Sequence, residues 1–302
     1  MMRRKNRRHT PAAATLLLTA ITAWACAACG GGTHAAPTVF AAASESPVGG
    51  AGSSAAPGSS ASTSASPSAS ASSPAAAAPA ADSGLSGKVV VLDPGHDGGN
   101  ETHPAEINRL VPQGFGQYKA CDTTGTNGDD GYAEHQFAFQ VALLVKADLE
   151  QRGLRVILTR NDDMGVGPCV NVRAAIGNNA HAAAAVSIHA DGGPSGGHGY
   201  QLLEAVQSVG GSGIVSASHR LAVALHATFD KESGLIPSNY VGSDGYEPRD
   251  DIAGLNLSTV PKILTECGNM RNAGDLALEE SATGRKRIAR AIADGILAFL
   301  GQ

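Results

Sequence analysis

Residues 89–99 read VVVLDPGHDGG, an apolar run that stops at Asp93-Pro94-Gly95 and is followed at once by His96. An apolar run without alternation is typical of a strand buried on both faces, as in a sheet covered by helices on each side. His96 then lies just beyond the carboxyl end of the strand, where open α/β sheets form ligand sites. Taken alone, His96 is explained equally well as a histidine in a surface turn.

Two further apolar runs end in the same way. Residues 184–188 read AAVSI and lead into His189, and residues 262–265 read KILT and lead into Glu266. If the three strands are parallel neighbours, these side chains converge with His96 on one edge of the sheet, where a catalytic zinc site can be assembled.

The remaining pattern alternates helices with strands. Residues 97–131 and 234–256 are predicted as long polar loops. The sequence therefore predicts an α/β fold, a single layered domain whose mixed, mostly parallel sheet is flanked by helices on both faces. Helices are predicted from about residue 133 to Gly153 and over 170–178, 216–232 and 285–300, and further strands over 154–159 and 200–204.

The first 84 residues differ in composition from the rest. Residues 1–28 read as a secretory signal peptide, because five basic residues precede an apolar segment too short to span a membrane. Cys29 follows two alanines, which resembles a lipoprotein processing site; cleavage to a soluble product is the alternative. Residues 29–84 are rich in Ala, Ser, Gly and Pro and are predicted to form a disordered tether. The protein is expected in the cell envelope, either lipid-anchored or secreted.

Residues 85–302 suffice for one α/β domain with a full core. The formal net charge of the whole chain is −5, and removal of the basic leader makes it more acidic, which argues against a nucleic-acid partner. A monomer is expected. Cys121 and Cys169 lie in glycine-rich loops and are predicted to pair in an oxidising compartment, although three thiols allow three pairings, and Cys267 is predicted as a buried free thiol.

Glu134 begins the apolar stripe of the first long helix, since positions 134, 138, 141 and 145 share one face. A carboxylate on that face needs a partner, which makes Glu134 a candidate metal ligand. The alternative is a first-turn glutamate that complements the helix dipole and faces water.

Two histidines and a glutamate, with one position left for water, form a recurring catalytic zinc site. Zinc would lower the pKa of its water to about 7, and a separate carboxylate must then carry the proton to the leaving group. Glu266 is placed for that role; the alternative is a structural salt bridge between Glu266 and Arg271.

Five segments in this order resemble the zinc-dependent N-acetylmuramoyl-L-alanine amidases of the AmiC/CwlV type (amidase_3). They are VVVLDPGHDGG, the helix that begins at Glu134, LTRNDD over 158–163 with Arg173 after it, VSIHADGG over 186–193, and VPKILTECGNMRNAGD over 260–275. The resemblance implies that His96, Glu134 and His189 bind Zn²⁺ and that Glu266 is the catalytic acid and base. The implied activity is hydrolysis of the amide between the lactyl group of N-acetylmuramic acid and L-alanine, with peptidoglycan or muropeptide as substrate.

Some positions depart from the family pattern. Asn269 and Asn256 stand where an apolar or aromatic residue and an arginine are common, which affects substrate contacts more than the chemistry. The stretch between Glu204 and Ser216 is too short for the autoinhibitory helix of some relatives, so an open site is expected. Candidate substrate contacts in the polar segment 234–256 are Tyr240, Arg249 and Asp250, with a solvated connector as the alternative.

Two other functions remain open from the sequence. The domain could be another exported zinc peptidase or deacetylase, or a cell-wall-binding domain without catalysis. Loss of Glu266 or of a metal ligand would mark the second, and all four residues are present.

Overall fold

The computed structural model describes residues 84–301. The predicted signal peptide, the predicted lipidation site Cys29 and nearly all of the predicted tether lie outside the described residues. Between residues 84 and 301, no helix combines the length and the apolar character that a bilayer span requires.

A mixed six-stranded sheet forms the centre of the domain. The strands of the described region are β1 Val89–Pro94, β2 Leu110–Gly114, β3 Gln117–Ala120, β4 Arg155–Leu158, β5 Ala184–Asp191, β6 Gln201–Ala205, β7 Tyr246–Arg249 and β8 Lys262–Asn269. The sheet order is β4-β1-β5-β8-β6-β7, and β2 and β3 form a separate antiparallel hairpin. Strands β4, β1, β5 and β8 are parallel, whereas β6 is antiparallel to β8 and parallel to β7. The predicted mostly parallel sheet is confirmed.

Helices cover both faces of the sheet, as predicted. They are α1 Pro104–Ile107, α2 Glu134–Gln151, α3 Val170–Asn179, α4 Ser212–Thr228, α5 Ala253–Asn256, α6 Ala273–Glu280 and α7 Ala282–Phe299. Helices α2, α4 and α7 pack together on one face, where Phe137, Leu221 and Ile292 join Leu92 and Ile188 of the sheet in the main hydrophobic core.

The opposite face has a thinner cover. Helix α3 packs near Val91 and Ala185, and the short helix α5 places Leu255 against Leu203 and Leu264. A cavity at the carboxyl ends of β1, β5 and β8 is lined on this side by Val170 of α3 and Ala253 of α5.

The two long loops predicted over 97–131 and 234–256 are partly wrong. The first contains a 3-10 turn at Asn100–Thr102, helix α1 and the β2–β3 hairpin, and the second contains β7 and α5. The missed strands are short, and β2 and β7 each contain a proline. Proline is tolerated in strands that have no partner on one side, such as β7 at the edge of this sheet.

Two helices begin earlier than predicted. Helix α4 begins at Ser212 and ends at Thr228, where the chain continues in a π-helical turn over Phe229–Ser233. Helix α7 begins at Ala282 because the hydroxyl of Ser281 accepts a hydrogen bond of 2.9 Å from the Gly284 backbone N–H.

Candidate metal centre

The turn after β1 brings two histidines together. Gly95 N–H donates to the carbonyl of Ile188 at 2.9 Å, which joins the end of β1 to β5. His96 follows with φ of 55°, a conformation that is uncommon for a residue with a side chain. A Cβ at position 95 would lie 2.3 Å from Cε1 of His189. Only glycine therefore lets this turn approach the His189 ring, and the two imidazole centroids are 4.9 Å apart.

Glu134 lies between the two histidines at the first position of α2. Its Oε1 is 3.1 Å from Nε2 of His96 and 2.8 Å from Nδ1 of His189. Its Oε2 accepts a hydrogen bond of 2.9 Å from the Thr126 N–H. One nitrogen of each histidine and one oxygen of Glu134 all lie within 4.8 Å of one another. The first-turn glutamate therefore points into the protein rather than into water.

The electrostatics of this group favour a positive charge between the side chains. Burial alone would lower the pKa of His96, but the Glu134 and Asp122 carboxylates raise it well above its ordinary value. Burial alone would raise the pKa of Glu134, but the two histidines hold it below its ordinary value. A divalent cation would supply the charge that this arrangement favours.

His96 has a second polar contact behind the site. Its Nδ1 lies 2.9 Å from the carbonyl of Thr123 and 3.4 Å from Oδ1 of Asp122. When the His96 ring is neutral and donates through Nδ1, its Nε2 is unprotonated and can bind a metal, and Nε2 is the atom that faces Glu134. Asp122 was missed by the sequence reasoning, since it lies in the predicted long loop and no pattern distinguishes it.

Glu266 lies beside His189 in the sheet. The two residues are register partners on β8 and β5, and both line one cavity. Burial, Glu134 and Asp191 raise the pKa of Glu266 well above its ordinary value. Its Oε2 is buried and has no hydrogen-bond partner among residues 84–301. The alternative pairing with Arg271 is not formed, because Arg271 Nε instead donates to Oδ1 of Asp129 at 3.1 Å.

The cavity in front of these residues has a volume of about 390 Å³. The lining of the cavity is partly apolar, with Leu203, Ile252 and Leu264. Lys119 and residues 122–126, from the segment that follows β1, also line the cavity. Residues 206–211, between β6 and α4, contain no helix. Within residues 84–301, the connection between β6 and α4 therefore places no helix over the cavity, and the segment after His96 lines part of it.

The three candidate substrate residues have different positions. Arg249 lines the cavity and pairs with Glu247 at 2.9 Å and Asp251 at 2.6 Å. Tyr240 is outside the lining but donates its hydroxyl to Oδ2 of the lining residue Asp191 at 2.6 Å. Asp250 is exposed and does not line the cavity. Asp191, part of the HADGG motif, is the polar wall residue that the sequence reasoning passed over.

A disulfide joins Cys121 and Cys169, as predicted. Cys121 follows the hairpin and immediately precedes Asp122 and Thr123, whereas Cys169 immediately precedes α3. Asp122 and Thr123 both contact His96, so the disulfide fixes the segment that orients a candidate ligand. Cys267 is a buried free thiol, also as predicted.

Comparisons with known proteins agree with this geometry. Residues 90–298 match the family model Amidase_3, described as N-acetylmuramoyl-L-alanine amidase. The chain is 42% identical over 227 residues to the N-acetylmuramoyl-L-alanine amidase Rv3717 of Mycobacterium tuberculosis, covering 73% of this chain and 90% of that protein.

Solved structures give the same result. The N-acetylmuramyl-L-alanine amidase Ami1 of Mycobacterium smegmatis aligns with a TM-score of 0.68 at 44% identity, covering 72% of this chain and 98% of that chain. The catalytic domain of the amidase CwlV from Bacillus (Paenibacillus) polymyxa var. colistinus aligns with a TM-score of 0.53 at 29% identity, covering 70% and 98% respectively.

Proposed function

The chain belongs to the Amidase_3 family of N-acetylmuramoyl-L-alanine amidases and is a peptidoglycan amidase, and from this premise we propose how its residues carry out the reaction. His96, Glu134 and His189 would hold a zinc ion, and Glu266 moves the proton. The bond cleaved is the amide between the lactyl group of N-acetylmuramic acid and L-alanine.

The donor set fits a catalytic zinc ion. Two imidazole nitrogens and one carboxylate oxygen are ligands that zinc accepts, and three protein ligands leave a position for water. The three donor atoms lie within 4.8 Å of one another and line an open cavity. Imidazole donors disfavour Mg²⁺ and Ca²⁺, which prefer oxygen ligands. When bound, zinc would polarise the amide carbonyl and make water a better nucleophile at neutral pH.

Glu266 performs the proton transfer. Its buried Oε2 has no partner within residues 84–301. A cation held by the three ligands would favour the ionised form of Glu266, in which this oxygen accepts a proton from the attacking water. As the water oxygen bonds to the lactyl carbonyl carbon, Glu266 takes the proton. Glu266 then gives it to the alanine nitrogen while the carbon–nitrogen bond breaks. The products are a muramic acid carboxylic acid and a peptide with a free amino terminus.

The substrate enters along the cavity wall formed by β6, β8 and α5. Arg249 at the wall is a candidate contact for the substrate, and Tyr240 acts indirectly by holding Asp191. Asp250 stays a candidate contact at the exposed rim. A muropeptide or the polymer itself fits this description.

The observation that carries the proposal is the convergence of three donor atoms and Glu266 on one cavity. The test is incubation of the purified chain with a defined muropeptide, with and without a chelator, followed by mass spectrometry of the products. We expect release of the intact stem peptide with L-alanine at its amino terminus, and loss of release with chelator. Cleavage within the peptide or at an acetyl group would indicate a different hydrolase.

We also propose that residues 1–28 direct export and that residues 29–84 tether the domain, residues 85–302, to the envelope. If Cys29 carries a lipid, globomycin should block processing and the mature protein should carry the added mass of the lipid. Processing that globomycin does not change would indicate a secreted protein. A monomer is expected in light scattering.

A further inference from the structure

Arg160 is a buried arginine whose five N–H groups all face acceptors. It follows β4 by two residues, and its side chain is 2% exposed. Nε donates to the carbonyl of Pro94 at 3.0 Å, Nη1 donates to the Asp162 carbonyl and to Oδ1 of Asp163, both at 2.8 Å, and Nη2 donates to the carbonyls of Gly95 at 3.1 Å and His135 at 2.8 Å. The guanidinium therefore has no donor left over for substrate.

These acceptors belong to the segments that present two of the candidate ligands. Pro94 and Gly95 immediately precede His96, and His135 immediately follows Glu134. One planar group thus joins the turn after β1 to the first turn of α2. His189 needs no such connection, because it lies on β5, which pairs with β1 and β8 along the sheet.

We propose that Arg160 is a positioning residue for the metal site, one that sets the separation between His96 and Glu134 by bridging the backbones beside them. The inference rests on the metal-binding role proposed above. Arg160 touches neither the donor atoms nor the cavity, so it acts only through the segments that it joins.

Neighbouring groups fix the orientation of the guanidinium. The Phe139 ring lies 4.8 Å from the central carbon of the Arg160 guanidinium. Asp163 accepts a hydrogen bond from Arg160 and also lies 2.8 Å from Nδ1 of His135.

Arg173, on α3, supports the same turn after β1 by donating to the carbonyls of Pro94 at 2.7 Å and His96 at 2.9 Å. Within residues 84–301, Arg173 makes no hydrogen bond to α2, so of these two arginines only Arg160 connects the turn after β1 to the first turn of α2.

Lysine cannot replace arginine in this role. Its ammonium offers three donors from a single atom, whereas the five acceptors around Arg160 lie about a planar fork. His96, whose φ of 55° is uncommon for a residue with a side chain, would then be held less firmly.

The test compares Arg160→Lys with Arg155→Lys, an exposed arginine of β4, in the purified full chain. The zinc dissociation constant is measured by competition with a chromophoric chelator, and the visible spectrum of the cobalt-substituted protein reports the ligand geometry. We expect Arg160→Lys to weaken zinc binding roughly tenfold to a hundredfold and to change the cobalt spectrum. Arg155→Lys should match the wild type in both measurements.

The outcomes separate this inference from the proposed function. A wild-type chain that binds no zinc would overturn the proposed function itself. A zinc-binding wild type together with an Arg160→Lys variant of equal affinity and identical cobalt spectrum would overturn the inference alone. A lower melting temperature of the metal-free variant with unchanged zinc affinity would likewise show a merely structural role.

If Arg160→Lys does not fold, Asp163→Ala provides the second variant. It removes the carboxylate that orients both the guanidinium and His135, at a position that is partly exposed. We expect a severalfold loss of zinc affinity, and an unchanged affinity would overturn the inference.

Discussion

Replacing Gly95 with alanine places one methyl group against a candidate ligand. The new Cβ would lie 2.3 Å from Cε1, 2.5 Å from Nδ1 and 2.6 Å from Nε2 of His189, whereas ordinary contacts begin at 3.4 Å. The ring must therefore retreat by about 1 Å or the turn after β1 must move. Gly95 is not among the glycines with positive φ, so the alanine backbone itself is not strained.

A shift of this size separates the His189 nitrogen from the other two donors. Since a 1 Å misplacement can cost about a hundredfold in turnover, we expect a loss of about that size in kcat/KM on muropeptide, together with weaker zinc binding. Zinc content and affinity are measured alongside turnover, and circular dichroism checks the fold.

Gly196→Ala is the matched control. It lies in the loop after His189, has no positive φ, and a Cβ there would meet nothing within 4 Å. The control should retain wild-type zinc binding and turnover. A Gly95→Ala variant that binds zinc and turns over like Gly196→Ala would refute the close packing of the two histidines as the basis of the site.

Three further predictions follow from other residues. Glu266→Gln should retain zinc but lose at least about a hundredfold in kcat, because the amide cannot accept the proton; near wild-type turnover would exclude the proposed role. Serine at both Cys121 and Cys169, which are 48 residues apart, should lower the free energy of unfolding in urea by about 4 kcal/mol, and an unchanged midpoint would contradict this. Glu279 is fully buried, and burial with Asp275 nearby raises its pKa to about 9. In the unfolded chain the pKa of a glutamate is about 4.3, so above that pH Glu279 must take up a proton on folding, and the free-energy cost of doing so grows as the pH rises towards 9. Glu279→Gln removes this cost and should therefore stabilise the protein by roughly 4 kcal/mol more at pH 8 than at pH 5. Equal stabilisation at the two pH values would argue against that account.

The sheet was predictable because its central strands are buried on both faces. Strands β1, β5 and β8 carry continuous apolar runs, and each run ends at a residue capable of chemistry. Their adjacency in the sheet then brings His96, His189 and Glu266 to one edge. The burial of the Glu134 carboxylate was predictable because Glu134 shares a helix face with Ala138 and Val141, both fully buried.

Other elements carried too weak a signal. Strands β2, β3 and β7 have only four or five residues each. Among the described strands, β2 and β3 pair only with each other, and β7 pairs with β6, which lies about 40 residues earlier in the chain. The contacts of Arg160 could not be predicted from the sequence either, because four of its five acceptors are backbone carbonyls, which any residue provides. The same applies to Thr123, whose carbonyl faces His96.

The most direct measurement is anomalous diffraction at the zinc absorption edge from crystals of the zinc-loaded protein. The account predicts one strong peak within bonding distance of His96 Nε2, Glu134 and His189 Nδ1, with Glu266 outside the ligand set. A peak bonded to other residues, or no peak between these three side chains in zinc-loaded protein, would contradict it.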